Sequence, residues 1–196
     1  MGRGNGSGRT LMTRTTDTMA LSPIGPMPEE LLTAVAAAVV DAFGCETLVI
    51  RLLDSADFAY HAQRHQYHST AILERLADQA PDHVLKILGL TSVDLFIPIL
   101  THVFGEAQLG GRACVVSTCR LLPHASPMPG EGPYQRLTKE AVHELGHTFD
   151  LRHCKDPACV MHFCRSEEDV DRKSRRFCRY CGVLLNDALT ALRQGG

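Results

Sequence analysis

Four residues within the segment 143–153 have the types and the spacing of a metal site: His143, Glu144, His147 and His153. On a helix, His143 and His147 lie one turn apart on the same face, so both imidazoles can bind a single ion. Glu144 is rotated by about 100° from His143 around the helix, beside the ion and not among its ligands. His153 reaches the same ion only if the chain turns after His147. These residues therefore predict a zinc ion with three imidazole ligands and one open position.

An open position on a three-histidine zinc is typical of hydrolytic enzymes, because it leaves room for a water molecule. Zinc lowers the pKa of that water to about 7, and Glu144 is placed to take its proton and deliver it to a leaving amine. A His-Glu-x-x-His pattern by itself also occurs by chance on ordinary helices. The third histidine, His153, makes the catalytic interpretation the favoured one. We therefore expect a zinc-dependent hydrolase of peptide bonds in which Glu144 activates zinc-bound water.

Hydrophobic periodicity and turn residues predict the elements that must position these side chains. Helices are expected over the ranges Pro28–Phe43, Ser69–Ala80, Tyr134–Phe149 and Val183–Arg193. Strands are expected over the ranges Thr47–Leu53, Val84–Leu90, His102–Ala107 and Ala113–Ser117. The third helix carries the first two histidines. Helix, strand, helix and several strands in this order predict a mixed α/β sheet with a hairpin at one edge.

The sequence predicts whether each of three further segments is buried or exposed. Thr47–Leu53 is a continuous apolar run, which is typical of a strand buried on both faces. Residues 123–133 contain four prolines and two glycines and are expected to form a loop. Glu167–Arg176 is highly charged and is expected to be an exposed loop or short helix. Of the three, only the first is therefore expected to contribute to the core.

The composition indicates one globular domain. The chain has 196 residues, of which 44% are hydrophobic, and a formal net charge of -2, so no global field favours nucleic acid or an anionic membrane. We interpret residues 1–22, rich in Gly, Ser, Thr and Arg, as a disordered tail, and residues 23–196 as a single catalytic domain. No apolar run approaches the ~20 residues that span a bilayer, and no secretory signal is recognisable. We therefore expect a cytoplasmic protein without nucleic-acid or membrane partners.

Five of the eight cysteines cluster in the last quarter of the chain. In a reducing compartment, such a cluster favours a metal site over disulfides. Cys178 and Cys181 form a Cys-x-x-Cys pair, which together with Cys154 and Cys159 can supply the four thiolates of a tetrahedral zinc site. Cys164 could replace Cys159 on spacing alone, and the residues leave this alternative open.

Several motifs together resemble the archaemetzincin branch of the metzincin zinc metallopeptidases. Two of them lie in the last third of the chain: the histidine stretch with its methionine over 143–161, and the motif Cys178–Cys181. The others lie upstream: Leu88–Thr91, Asp94–Leu95, Val103–Ala107 and Ser117–Leu121. The resemblance covers about residues 25–195. It implies a metzincin-like fold, with a twisted mixed sheet and active-site helix over 23–149 and a small cysteine-rich, zinc-bound subdomain over 150–196.

The resemblance also implies roles for individual residues. Met161 would be the Met-turn methionine, which packs beneath the three histidines. Four cysteines would bind a second, structural zinc ion: Cys154, Cys159, Cys178 and Cys181. The protein is thus expected to hold two zinc ions, one catalytic and one structural. Because Cys154 directly follows His153 in the chain, our hypothesis is that the second zinc preorganises the first site.

One position departs from the family pattern. Three residues after His147, where the chain must turn sharply, the family has glycine and this chain has Asp150. Aspartate enters the left-handed conformation more readily than most residues, at a cost of roughly 1–2 kcal/mol, so the turn is feasible but strained. If the turn fails, His153 is displaced. The alternative function is then a catalytically inactive, zinc-stabilised binding or scaffold protein.

The residues and the resemblance together predict a zinc metallopeptidase that acts on short peptides. Aminopeptidase activity is one form of this function, and peptides are the expected partners. Phe104–Ala107 resembles the family's antiparallel edge strand and could accept a substrate as an added strand. We expect the protein to act as a monomer.

Overall fold

The computed structural model describes residues 18–122 and 132–194, and these residues form eight strands, five α-helices and one short 3-10 helix (Asp57–Ala59). The strands are β1 (Thr18–Pro23), β2 (Glu46–Val49), β3 (Tyr60–His61), β4 (Gln66–His68), β5 (Lys86–Thr91), β6 (Leu95–Phe96), β7 (Gly105–Ala107) and β8 (Ala113–Ser117). The helices are α1 (Glu29–Phe43), α2 (Ser69–Asp78), α3 (Gln135–Thr148), α4 (Glu167–Arg172) and α5 (Arg179–Gln194).

Five of the strands form one sheet in the order β2-β1-β5-β8-β7. Neighbouring strands are parallel except at one edge, where β7 runs antiparallel to β8. The other three strands form a small second sheet in the order β3-β4-β6. The predicted mixed sheet with an antiparallel strand at its edge is therefore confirmed.

The central strands bury side chains on both faces because helices cover both sides of the sheet. Leu88 and Leu90 of β5 point into a core shared with α1 and α3, whereas Ile87 points into a core shared with α2. This alternation follows from the two-residue period of a strand. As a result, α3, which carries His143 and His147, packs against both α1 and the strands of the main sheet.

The prediction of a disordered tail over residues 1–22 is wrong for its last part. Residues 18–22 belong to β1, which lies between β2 and β5 in the main sheet, and its apolar side chains are fully buried. The apolar run is too short to be recognised by its period, and only pairing with a distant strand makes it part of the core. Residues 1–17 lie outside the described part of the chain.

Because β1 takes an inner position, β2 becomes an edge strand of the sheet. The prediction that Thr47–Leu53 is buried on both faces is therefore wrong. The strand covers only Glu46–Val49, and the side chain of Val49 is 52% exposed. An edge position leaves one side of a strand without a neighbour, so a continuous apolar run does not ensure burial.

The remaining predicted elements are present, with differences at their ends. The last helix begins at Arg179, earlier than the predicted Val183, so it includes the second cysteine of the Cys-x-x-Cys pair. Residues 123–131, most of the predicted loop, lie outside the described residues. No helix in the described ranges has the length and apolar character that crossing a bilayer requires.

Lys86 ties the end of α3 to the centre of the sheet. Its buried Nζ donates hydrogen bonds to the carbonyl oxygens of Gly111 and Thr148, each at 2.7 Å, and lies 4.8 Å from the centroid of the Phe149 ring. Burial lowers the pKa of this ammonium to about 8, so it remains mostly protonated at neutral pH. A cation at the C-terminal end of a helix is favoured by the helix dipole. The sheet thus fixes the point at which the chain leaves α3.

Candidate metal centre

The chain turns back sharply at the end of α3. The Leu151 N–H donates to the carbonyl of Gly146 at 3.2 Å, and the Asp150 N–H donates to that of His147 at 3.0 Å, the two hydrogen bonds of a Schellman motif. Asp150 has a φ of 63°, the left-handed conformation that glycine takes more easily. The expected strained turn is therefore present, and it returns His153 to the histidines of α3. The displacement that would have favoured an inactive scaffold does not occur.

The three predicted histidines converge on one point. The ring nitrogens of His143, His147 and His153 that could bind a metal all lie within 4.8 Å of one another. Nε2 of His143 and Nε2 of His147 are 3.1 Å apart. The ring of His153 is stacked on that of His143 with 5.3 Å between centroids, and Phe163 packs against His153 at 4.9 Å. The structure thus brings together all three side chains.

Backbone carbonyls determine which nitrogen of each helical histidine faces this point. Nδ1 of His143 lies 2.8 Å from the carbonyl oxygen of Val160, and Nδ1 of His147 lies 2.6 Å from that of Leu151. A carbonyl only accepts, so each Nδ1 carries the hydrogen and each Nε2 is an unprotonated acceptor. Two acceptors at 3.1 Å repel each other unless a cation lies between them. The donor set therefore fits zinc, which binds neutral imidazoles in this orientation.

Burial keeps the imidazoles neutral. It lowers the pKa of His143 well below the ordinary value and lowers that of His147 to about 4. Burial also lowers the pKa of His153. Neutral imidazole is the form that binds a metal ion, so protons do not compete for these nitrogens at neutral pH.

Glu144 is buried beside the histidines, against the edge strand β7. A Cβ atom at Gly105 of β7 would lie 2.7 Å from Cγ of Glu144 and 2.6 Å from the carbonyl oxygen of Val115, so only glycine allows this approach. Burial raises the pKa of Glu144 well above its ordinary value, and the nearby Glu140 adds to the effect. A divalent cation at the histidines opposes this shift, because it favours the carboxylate. The protonation of Glu144 would therefore respond to a cation bound by the histidines.

A buried ion pair that no local sequence pattern predicts lies next to His143. Nζ of Lys173 lies 2.7 Å from Oε1 of Glu140, and both side chains are almost fully buried. The same Nζ lies 3.3 Å from Nδ1 of His143, whose shorter contact is with the backbone carbonyl. The expectation that Glu167–Arg176 is exposed is therefore wrong at Lys173. One sequence feature could have indicated a charged group next to His143: Glu140 lies three residues before it and therefore on the same face of the helix.

Met161 packs against α3 directly below the histidines. Its side chain is fully buried, and a Cβ atom at Gly146 would lie 2.5 Å from Sδ of Met161. Gly146 lies between His143 and His147 in the helix. The absence of a side chain at this position lets the thioether contact the turn of α3 that carries both histidines.

The four cysteines of the predicted set also converge, with all four sulfur atoms within 4.8 Å of one another: Cys154, Cys159, Cys178 and Cys181. Sγ of Cys154 and Sγ of Cys178 are 3.8 Å apart, close to the separation of two thiolates bound at about 2.3 Å to a tetrahedral zinc. The N–H of Cys178 donates to Sγ of Cys159 at 3.3 Å. Cys164 instead lines the cleft above the histidines, so the structure groups Cys159 with the other three.

One short segment connects the two groups of side chains. The Cys154 N–H donates to the carbonyl of Met161, and the Val160 N–H donates to the carbonyl of Arg176, each at 2.9 Å. The carbonyl of Val160 in turn accepts the hydrogen bond from Nδ1 of His143. The backbone that orients the first histidine is therefore held by the chain next to the cysteines.

A cleft of about 750 Å³ opens over the histidines. Gly105 and Ala107 of β7 line one of its walls, whereas Glu106 accepts hydrogen bonds from Ser69 and Thr70 at the start of α2. Apart from β8, β7 pairs with no strand that the structure describes. The cleft therefore offers a free strand edge beside the histidines.

The fold and the site define a class of protein. A helix that carries two histidines and a glutamate, a turn to a third histidine and a methionine below them are the features of a metzincin-type zinc metallopeptidase. The profile described as Peptidase family M54 matches residues 43–187. The chain belongs to this family, the archaemetzincins, and it is a zinc metallopeptidase. The resemblance predicted from the sequence is thus confirmed.

Individual relatives agree with this assignment. Archaemetzincin from Methanopyrus kandleri is 46% identical over 140 residues, which cover 71% of this chain and 75% of that protein. Archaemetzincin from Methanocaldococcus jannaschii is 36% identical over 172 residues, which cover 86% of this chain and 93% of that protein. The crystal structure of the Methanopyrus kandleri archaemetzincin matches with a TM-score of 0.78 and 37% identity, covering 92% of this chain and 99% of that chain.

The contact between Gly146 and Met161 is testable with a pair of glycine substitutions. Gly146→Ala is expected to lower the free energy of unfolding by about 1–3 kcal/mol, because the new methyl group overpacks a buried site. Gly182→Ala is the matched control, since Gly182 also lies in a helix and a Cβ there meets nothing within 4 Å. It should raise stability by up to about 1 kcal/mol. Urea denaturation measures both, and an equal gain in the two variants would contradict the close packing.

The buried ion pair is testable in the same way. Lys173→Met is expected to lower the free energy of unfolding by about 3–5 kcal/mol, because Glu140 is left as an unpaired buried charge. Adding Glu140→Gln should restore much of this loss. Arg136→Met is the control: it breaks the more exposed pair with Asp171, which also links α3 to α4, and should lower stability by about 1 kcal/mol. If Lys173→Met and Arg136→Met lower the free energy of unfolding by the same amount, the buried pair next to His143 contributes no more to stability than the more exposed pair.

Proposed function

We propose that His143, His147 and His153 hold a catalytic zinc ion and that Glu144 is the general base of a peptidase for short peptides. The observation that carries this proposal is the pair of unprotonated Nε2 atoms, 3.1 Å apart, with a buried carboxyl group next to them. Membership of the family supplies the reaction class, hydrolysis of peptide bonds by a zinc metallopeptidase.

The side chains of the site divide the chemistry between them. A bound zinc ion supplies a Lewis acid for the scissile carbonyl and lowers the pKa of water. Glu144 takes the proton of the attacking water on a carboxylate oxygen and later delivers it to the nitrogen of the leaving amine. The dry surroundings that raise the pKa of Glu144 suit the second step, because the acid must keep its proton until the amine leaves. His143 and His147 keep their orientation through their Nδ1 hydrogen bonds.

The substrate is proposed to bind as an added strand along β7. Gly105 and Ala107 face the cleft with little or no side chain, so a peptide backbone can approach the strand closely. The hydrogen bonds from Ser69 and Thr70 to Glu106 hold the strand in place during this contact.

We also propose that the protein acts as an aminopeptidase, that it is a monomer and that it is located in the cytoplasm. Turnover of a free peptide compared with that of its N-acetylated form tests the first of these.

A second zinc ion is proposed at Cys154, Cys159, Cys178 and Cys181. Sulfur atoms 3.8 Å apart and a backbone N–H donor to Sγ of Cys159 support this assignment. Met161, packed against the helix turn below the histidines, is proposed as the methionine floor of the catalytic site. A structural zinc contributes its binding free energy to folding, so it would stabilise the segment that carries Met161 and orients His143.

Glu144→Gln is expected to lower kcat by about 10²–10⁴-fold, because an amide cannot accept the proton of the water. Zinc content should stay at the wild-type level, since Glu144 is not among the proposed ligands. A peptide-library assay read by mass spectrometry, combined with elemental analysis, measures both quantities. Glu74→Gln, at an exposed position on α2, is the control and should match the wild type. Full turnover in Glu144→Gln would rule out its role as general base.

The proposed coupling of the two metal sites is tested by Cys178→Ser combined with Cys181→Ser. We expect the zinc content to fall from two ions per chain to below one, because the loss of the cysteine site also loosens the backbone that orients His143. Cys119→Ser, which changes a cysteine outside the group, should keep both ions. If the double variant retains full activity and a filled histidine site, the two sites are independent.

A further inference from the structure

The guanidinium groups of two arginines in the lining of the cleft have no carboxylate partner among the described residues, although the backbone N–H of Arg165 donates to the carboxylate of Asp169 at 3.0 Å. Arg152 directly precedes His153, and Arg165 lies two residues after Phe163. Both arginines are exposed. The guanidinium carbon of Arg165 lies 5.9 Å from the centroid of the Phe163 ring, which packs against His153 at 4.9 Å. Both cations therefore belong to the part of the cleft that carries the third histidine.

The carboxylates near the cleft are already engaged. Glu140 is paired with the buried Lys173 at 2.7 Å. Glu106 turns to the hydroxyl groups at the start of α2. Glu144 is then the one carboxyl group of the described lining that has no cationic side chain as its partner. Although the whole chain has a formal net charge of -2, the cleft has an excess of positive charge, which attracts anionic groups.

Apolar side chains share this cleft with the arginines. Leu100, Leu109 and Phe163 line it and are 44%, 50% and 45% exposed. Exposed apolar side chains around a concave site favour a ligand with apolar parts. A guanidinium group binds a carboxylate through two parallel N–H···O bonds, and it also stacks on aromatic faces. The lining therefore suits a ligand that combines an apolar part with a carboxylate.

Building on the proposed peptidase function, we propose that Arg152 and Arg165 form an anion subsite that binds the carboxyl terminus of a short peptide substrate. Every short peptide has this group close to its scissile bond, whereas an acidic side chain occurs only in some sequences. The described lining has no carboxylate, other than the proposed base, that could hold the ammonium group at the other end. For a peptide of a few residues, the carboxyl terminus then helps to set the register along β7.

The test uses zinc-loaded wild type, Arg152→Gln, Arg165→Gln and the control Arg175→Gln, which changes an exposed arginine outside the cleft lining. The probes are one apolar tetrapeptide as free acid and as C-terminal amide, and an amide with one glutamate. We expect KM for the free acid to rise about tenfold in each cleft variant, with kcat and KM for the plain amide unchanged. Binding of the same peptides to zinc-loaded Glu144→Gln protein is measured by calorimetry.

The outcomes distinguish a carboxyl terminus from an acidic side chain as the bound anion. They also distinguish a failure of the anion subsite from a failure of the proposed peptidase function. An acid preference that is lost in the cleft variants and kept in Arg175→Gln supports the carboxyl terminus as the ligand. If the wild type prefers only the glutamate amide, and the cleft variants lose this preference, the bound anion is an acidic side chain and not the carboxyl terminus. Equal KM for all three peptides, or an acid preference that survives in both cleft variants, overturns the subsite. Acid-selective binding without any turnover overturns the peptidase function and supports the subsite.

Discussion

Two unprotonated imidazole nitrogens, 3.1 Å apart on one face of α3, repel each other unless a cation lies between them. The surrounding structure holds them in this arrangement. The carbonyls of Leu151 and Val160 fix both rings, and burial disfavours the protonated forms that would change their contacts. The left-handed Asp150 adds local strain at the turn that returns the third histidine. Side chains held in one orientation by packing and backbone hydrogen bonds are what a preorganised metal site requires.

Both carbonyls that orient the helical histidines come from chain that follows α3. Leu151 lies in the turn, and Val160 lies between the first two cysteines of the group and the last two. The main sheet contributes in a different way: Lys86 fixes the end of the helix, and Gly105 gives Glu144 the space that it occupies. The sheet therefore places the helix, while the cysteine-rich segment sets the orientation of its side chains.

The convergence of the two helical histidines could be predicted because the helix period places them on one face. Spacing alone left Cys159 and Cys164 as alternatives in the cysteine set, and only the family resemblance favoured Cys159. Two other features could not be predicted. Thr18–Pro23 becomes an inner strand only by pairing with β5, far along the chain. Lys173 lies in a charged run that is typical of exposed chain, and it is buried because Glu140 meets it from another element. Both features depend on long-range contacts that local patterns do not encode.

The hydrogen bond from the Val160 N–H to the carbonyl of Arg176 has a consequence for the order in which the protein assembles during synthesis. The ribosome delivers α3 and its histidines before it delivers Arg176. Until that later segment emerges, the Val160 carbonyl has no fixed position from which to orient His143. A nascent chain thus holds both helical histidines before it has the geometry that makes them a site. The orientation of His143 can therefore be set only after the strands of the main sheet and α3 have been synthesised.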